Sequence, residues 1–304
     1  MRTLGCLLIA CGLLAGGMAD LFAADLTSVV APGAELRQVV GDCKFTEGPA
    51  ADAAGNVYFT DQPNDRIVKI DTHGTVTDFM KPAGRSNGMF FAPSGKLIAC
   101  ADEHNQMWEI DIADSSHRVL FDKHQGNRLN GPNDVWVHPT GVMYFTDPYY
   151  QRPWWNHSKP PQDVQALYRV ADDAKVYRER EPFKQPNGIV GDADRGLLFV
   201  ADIGDKKTYS YPIRADGTLG PRTLFCEEGS DGMTLDDAGH LYLTGKLGVT
   251  VFQADGTKLG VIEVPENWTA NVCFGGPEHR TLFITASDSV YTLAMKTRGI
   301  SDQR

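Results

Sequence analysis

PNDVWVHPTGVMYFTD, residues 132–147, decides the fold. A polar lead, Pro132-Asn133-Asp134, precedes a short apolar strand, a Pro-Thr-Gly turn, and a stronger strand that ends in Asp147. Apolar runs of this length bounded by turn residues read as strands rather than helices. Outward from this stretch the pattern recurs in five further copies. Glu47-Gly48-Pro49 leads to VYFTD at 57–61 and Ser86-Asn87-Gly88 to LIACAD at 97–102. Pro186-Asn187-Gly188 leads to LLFVAD at 197–202, Ser230-Asp231-Gly232 to LYLTG at 241–245, and Ala270-Asn271-Val272 to LFITA at 282–286. A third strand follows, as in RIVKID at 66–71, and a fourth apolar stretch such as VTDFM at 76–80 completes the unit. The lead residues at 47, 87, 133, 187, 231 and 271 are 40, 46, 54, 44 and 40 positions apart. That is the spacing of propeller blades. The expectation is an all-β, six-bladed β-propeller of four-stranded antiparallel blades. It forms one domain over 25–304, with the segment 25–42 adding a strand to the last blade and closing the ring.

The 31 Gly and 17 Pro suit many short strands joined by tight turns. A formal net charge of −10 and a pI near 5.2 repel nucleic acid and anionic lipid, which excludes both as electrostatically steered partners. Residues 1–24, MRTLGCLLIACGLLAGGMADLFAA, carry one Arg and an apolar run too short to span a bilayer, then small residues. They read as a secretory signal, so a secreted or periplasmic protein without a membrane span is expected. The alternative is a lipoprotein box at Leu8-Ile9-Ala10-Cys11. Cys43, Cys100, Cys226 and Cys273 remain after cleavage. Their spacing selects no pairing, and buried free thiols are an equal alternative to disulfides.

A propeller brings equivalent residues to equivalent places around its axis, so the lead positions are expected to ring one mouth of the central channel. They are Glu47, Asn87, Asn133, Asn187, Asp231 and Asn271, and each carries a side-chain oxygen. One Asn-Gly pair by itself is a turn signal; six in phase are a ligand set. Carboxylate and amide oxygens without Cys or His suit a hard divalent cation, Ca2+ first and Mg2+ or Mn2+ next, with Zn2+ disfavoured. Asp61, Asp102, Asp147 and Asp202 recur at the end of the second strand and read as turn or strand-end caps. The longest spacing comes from an insertion at 148–165, PYYQRPWWNHSKPPQDVQ, rich in aromatics. It either covers the channel mouth and offers Tyr149 to a substrate, or packs on its own rings. No G-x-S-x-G elbow, H-E-x-x-H helix or phosphate-binding glycine loop occurs.

With Glu47-Gly48-Pro49, Asn130-Gly131-Pro132-Asn133-Asp134, Pro186-Asn187-Gly188, Ser230-Asp231-Gly232 and the late Asn271-Val272-Cys273-Phe274-Gly275-Gly276 in view, the chain resembles the gluconolactonase and senescence-marker-protein (regucalcin) family. The resemblance covers roughly residues 40–295 and looks closer to the bacterial gluconolactonase-like branch. It implies one catalytic divalent cation held by Glu47, Asn133, Asn187 and Asp231, with Asn133 reaching it directly or through water or substrate. Members similar to regucalcin place an arginine two residues before the equivalent of Asn133, where this chain has Gly131, and Arg128 is the candidate substitute. The implied function is metal-dependent opening of a small-molecule lactone. The cation polarises the carbonyl, Asp231 orients or deprotonates the attacking water, and Asn87 and Asn271 bind substrate. Two other readings use the same ring: a phosphotriesterase-like hydrolase, and a non-catalytic carbohydrate- or protein-binding propeller with structural calcium.

Overall fold

The computed structural model describes residues 26–171 and 174–300. The expected signal at 1–24 lies outside the described residues. Nearly every element is a strand, and six four-stranded antiparallel sheets form the blades of a propeller. Blade 1 comprises Thr46–Ala51, Val57–Asp61, Arg66–Ile70 and Val76–Met80, and blade 2 Ser86–Phe91, Leu97–Ala101, Gln106–Ile110 and His117–Phe121. Blade 3 comprises Val135–Val137, Met143–Asp147, Ala166–Val170 and Val176–Arg178, and blade 4 Pro186–Asp192, Leu197–Asp202, Lys207–Pro212 and Thr223–Cys226. Blade 5 comprises Met233–Leu235, Leu241–Gly245, Gly248–Phe252 and Lys258–Ile262. Blade 6 takes Thr269–Gly275, Thr281–Ala286 and Ser289–Ala294 from the end of the chain and its outermost strand, Arg37–Val40, from the beginning. The ring is therefore closed by main-chain hydrogen bonds between the two ends, as the sequence predicts, and Ser289–Ala294 is paired on both sides.

The second strand of each blade is buried on both faces, hence runs such as VYFTD and MYFTD in place of polar alternation. The apolar core lies between neighbouring blades. One cluster joins Trp136 and Tyr144 of blade 3 to Leu198 and Tyr211 of blade 4 and Leu243 and Phe252 of blade 5. All four cysteines in the described residues are buried and free. No helix among the described residues is long and apolar enough to cross a membrane.

The inner strands approach one another so closely that the residue after the lead position must often be glycine. A Cβ on Gly48 would lie 2.1 Å from Asn87 O, and one on Gly232 2.0 Å from Asn271 Cγ. Gly48 also has φ +44°, a left-handed conformation that glycine adopts without strain. Adjacent blades are bonded at the same level. Thr60 Oγ1 donates to Asn87 O at 3.2 Å, Thr146 Oγ1 to Asn187 O at 2.7 Å, and Thr244 Oγ1 to Ala270 O at 2.7 Å.

Candidate active site

Irregular backbone aims the lead residues inward. Pairing between the first two strands shifts register at Glu47/Ala50, Ser86/Met89, Pro186/Ile189 and Thr269/Asn271, while Asn133 and Asp231 precede inner strands that begin at Val135 and Met233. A bulge re-aims a side chain that a regular strand would point at the neighbouring blade.

Five of the six predicted ring residues, Glu47, Asn87, Asn133, Asn187 and Asp231, line one cavity of about 360 Å³. Its remaining walls are Phe45, Tyr150, Arg152, Gln185, Ile203 and Trp268. Asn271 is not among them. It lies beneath, donates from Nδ2 to Glu47 Oε2 at 3.2 Å, and with Asp134 lines a second cavity of about 350 Å³ further along the channel. Arg128 is exposed on a two-stranded ribbon, Lys123–His124 paired with Asn127–Arg128, away from the cavity wall. Tyr149 also stays outside the cavity, with its ring against Trp155.

Asp231 is partly buried against two donors. Asn187 Nδ2 donates to Oδ1 at 2.7 Å and Trp268 Nε1 to Oδ2 at 2.5 Å. Each carboxylate oxygen keeps one further acceptor site. Burial pushes the Asp231 pKa up to about 6, against the lowering effect of these donors and of the Arg152 charge. Glu47 is raised well above the usual carboxylate range, by burial first and then by the charge of Asp231. Asp134, next to Asn133, is pushed up to about 7 by burial. Three acids thus converge on the channel, Glu47 and Asp134 buried and Asp231 partly so, and among the described residues Arg152 is the one basic residue on the cavity wall. The amide oxygens of Asn87 and Asn187 are buried without a hydrogen-bond partner among the described residues, a condition that costs about 1–3 kcal/mol for each. A hard cation would relieve both deficits at once, by neutralising carboxylates and by accepting the idle amide oxygens as ligands. The donor set fits such an ion.

The strand-end aspartates hold the loops that carry the ring. Asp61 Oδ1 accepts from Lys44 N at 3.0 Å and Phe45 N at 3.4 Å. Asp147 accepts from Asn130 N and Gly131 N at 2.9 and 2.8 Å, and Asp202 from Lys184 N and Gln185 N at 2.8 and 2.9 Å. In each blade the two donors stand three and two residues before Glu47, Asn133 or Asn187. Asp102 departs from the series. There Asp65, from the preceding blade, accepts from Ala83 N and Arg85 N instead, at 2.9 and 2.7 Å, and Asp102 accepts from Arg152 Nε at 3.0 Å and Gln62 Nε2 at 3.2 Å.

The 148–165 insertion packs on its own rings and also reaches the cavity, through Tyr150 and Arg152 and not through Tyr149. Trp155 stacks on His157, with ring centroids 4.9 Å apart, and donates from Nε1 to Asp102 O at 2.7 Å. Tyr150 and Arg152 reach the cavity, where Asn187 Nδ2 donates to Tyr150 Oη at 2.9 Å. The indole of Trp155 occupies the space beside Gly131: a Cβ there would lie 2.7 Å from Cη2.

The family model described as "SMP-30/Gluconolactonase/LRE-like region" matches residues 45–288. The chain belongs to this family. Among its relatives, the gluconolactonase of Zymomonas mobilis is 27% identical over 93% of this chain and 87% of that protein. The 6-deoxy-6-sulfogluconolactonase of Pseudomonas putida is 36% identical over 76% of this chain and 79% of its own length. The solved gluconolactonase of Xanthomonas campestris superposes with a TM-score of 0.81 at 26% identity, covering 90% of this chain and 93% of that one. The family match spans all six ring residues and the insertion between Asp147 and Ala166.

Proposed function

We propose that the protein hydrolyses a sugar lactone in the 360 Å³ cavity, with a divalent cation, Ca2+ first among candidates, held by Glu47, Asn133, Asn187 and Asp231. The observation that carries this reading is the ring of oxygen donors on one cavity wall, with idle amide oxygens and buried acids. The names of the relatives favour a lactone over other esters. The cavity stands near the lower end of the usual ligand-pocket range, roughly 300–1,000 Å³, which suits a single sugar ring.

When bound, the cation supplies Lewis-acid stabilisation of the oxygen that becomes negative as the carbonyl is attacked. Asp231 takes the proton of the attacking water. Trp268 and Asn187 fix its plane so that the remaining acceptor sites address the cavity. Water adds to the carbonyl carbon, the bond from that carbon to the ring oxygen breaks, and the ring oxygen leaves as a hydroxyl after receiving the proton. Asn87 and Asn133 offer amide groups to the substrate or the ion, and Phe45, Tyr150 and Trp268 give flat apolar surface for the sugar ring.

The test is to strip the purified protein with chelator and restore Ca2+, Mg2+, Mn2+ and Zn2+ separately while following acid release from a lactone panel. Activity should vanish on stripping and return with a hard cation. Asp231→Asn should lower turnover by about 10²–10⁴-fold, the usual range for a lost general base. Unchanged activity after stripping would remove the metal, and an active Asp231→Asn variant would remove the base.

A further inference from the structure

We propose that Arg152 binds the hydroxyl groups of the lactone and that Asp102 is its positioning residue, which makes the site selective for neutral, polyhydroxylated rings. The assignment rests on the lactonase reading above and names the substrate class of the same cavity. Its starting point is the departure of Asp102 from its series. Asp61, Asp147 and Asp202 each hold the backbone that leads to a ring residue, but the corresponding backbone donor at Arg85 is taken by Asp65. Asp102 is as buried as its counterparts, at 2% exposure, and its carboxylate is turned to the insertion. There it holds Arg152, the one cation on the cavity wall among the described residues.

The contact geometry suits a placed, ligand-facing arginine. The bond to Asp102 uses Nε and leaves the four donors on Nη1 and Nη2 for a ligand. The guanidinium carbon lies 5.5 Å from the centroid of Tyr150 and 5.8 Å from that of Trp154, so the group is steered from the sides as well as from behind. The Trp155 bond to Asp102 O fixes the same segment three residues further on. Tyr150, two residues before Arg152, meets Asn187, which meets Asp231. The Arg152 charge is felt by the Asp231 carboxylate. A chain of contacts therefore runs from Asp102 through Arg152 and Tyr150 to the proposed base.

The charge balance selects the ligand. Asp102 already pairs with the Arg152 guanidinium, and the carboxyl groups of Glu47 and Asp231 line the same cavity, so an anionic ligand meets acidic groups beside a cation that is already paired. An anionic substrate gains little there. A neutral ring with neighbouring hydroxyls can accept from the fork at no such penalty, and the carboxylate that hydrolysis creates is then repelled.

The experiment compares glucono-1,5-lactone with δ-valerolactone, the same ring without hydroxyls, on the metal-loaded full-length protein. Arg152→Gln should lower kcat/KM for the hydroxylated lactone by about 10–100-fold, the range of one to two charge-assisted hydrogen bonds, mainly through KM. The loss on δ-valerolactone should be about 10-fold smaller, because that ring offers the fork no hydroxyls, so the preference for the hydroxylated lactone falls. Asp102→Asn should shift selectivity in the same direction and add nothing in the Arg152→Gln background, because positioning has no effect without the group positioned. 6-Phosphoglucono-1,5-lactone should be a poorer substrate than the neutral sugar lactone. Equal losses on both uncharged lactones, additive effects in the double variant, or preference for the phosphorylated lactone would overturn the assignment. Failure of the unmodified protein to turn over any lactone would remove the lactonase reading itself, and this assignment with it.

Discussion

Replacing Asp147 with Ala should damage the site without altering any residue of the cavity wall. The carboxylate is fully buried, and its two oxygens accept from Asn130 N at 2.9 Å and Gly131 N at 2.8 Å. Deleting it leaves two buried backbone donors without an acceptor, at about 1–3 kcal/mol each, or about 2–6 kcal/mol together. Part of this is offset, because burial pushes Asp147 up to about 7 and the variant no longer buries an ionised carboxylate at neutral pH. A net loss of about 3 kcal/mol is expected, which for a domain of this size lowers Tm by about 6–12 °C. Asn133 follows the freed loop by two residues, and a displacement of about 1 Å at a ligand position can lower turnover by about 10²-fold. The control is Asp102→Ala, which removes no acceptor from the backbone before Asn87, since Asp65 holds it. Its stability loss should be less than half as large. Denaturant titration read by two probes gives the stabilities, and acid release from a lactone gives the activity. If Asp102→Ala were as destabilising as Asp147→Ala, or if Asp147→Ala kept turnover within twofold, the clamp argument would be wrong.

Three further outcomes are expected. Gly232→Ala places a Cβ 2.0 Å from Asn271 Cγ and should cost about 1–3 kcal/mol by overpacking. Because Asn271 supports Glu47, it should also weaken divalent-ion binding in a calorimetric titration. Calcium at about 100-fold its Kd should raise the unfolding free energy by about 2.7 kcal/mol over the chelator-treated protein, and a metal that raises activity but not stability would contradict its placement in the ring. In chelator, stability should fall as pH rises from about 4 to about 7. Asp102 is pushed up to about 6 and Asp147 to about 7 by burial, so the folded chain holds protons that the unfolded chain has already released. Below that window Asp61 acts with the opposite sign. Despite its burial, hydrogen bonds from Asn64, Lys44 and Arg66 hold it low, and their stabilisation is lost on further acidification. Denaturation midpoints that climb steadily from pH 4 to 8 would refute this sign.

The blades and the ring were legible because both are periodic. A residue type repeated six times at blade spacing reports a position around an axis, whatever its local propensity, and five of the six ring residues meet in one cavity. Asn271 keeps the phase but not the cavity, because its amide is drawn beneath Glu47. Tyr150, Arg152 and Trp268 come from loops, where no period applies to mark them as cavity residues. A signal existed for Arg152: it is one of two cations in an otherwise aromatic insertion, the other being Lys159 near its far end. Arg128, the substitute for an arginine absent at Gly131, lies on the Lys123–Arg128 ribbon, and Tyr149, the first tyrosine of the aromatic insertion, turns its ring to Trp155, so neither lines the cavity.

Asp102 shows why periodicity has a limit as an argument for role. Four aspartates at equivalent places are interchangeable in a sequence comparison, since each ends a buried strand and precedes a turn. What separates them is competition for donors. Asp65, at φ +54° after the short helical turn Gln62–Asn64, reaches Ala83 N and Arg85 N from the preceding blade. Once those donors are taken, a carboxylate at Asp102 is unpaired inside the protein and must find a charge or lose its own. Arg152 is that charge, and it can arrive only because Gly131 leaves room for Trp155 to lie down on the blade. Asp65, Gly131 and the insertion together turn one structural cap of the repeat into a support for Arg152 on the cavity wall. None of the three has that meaning in isolation.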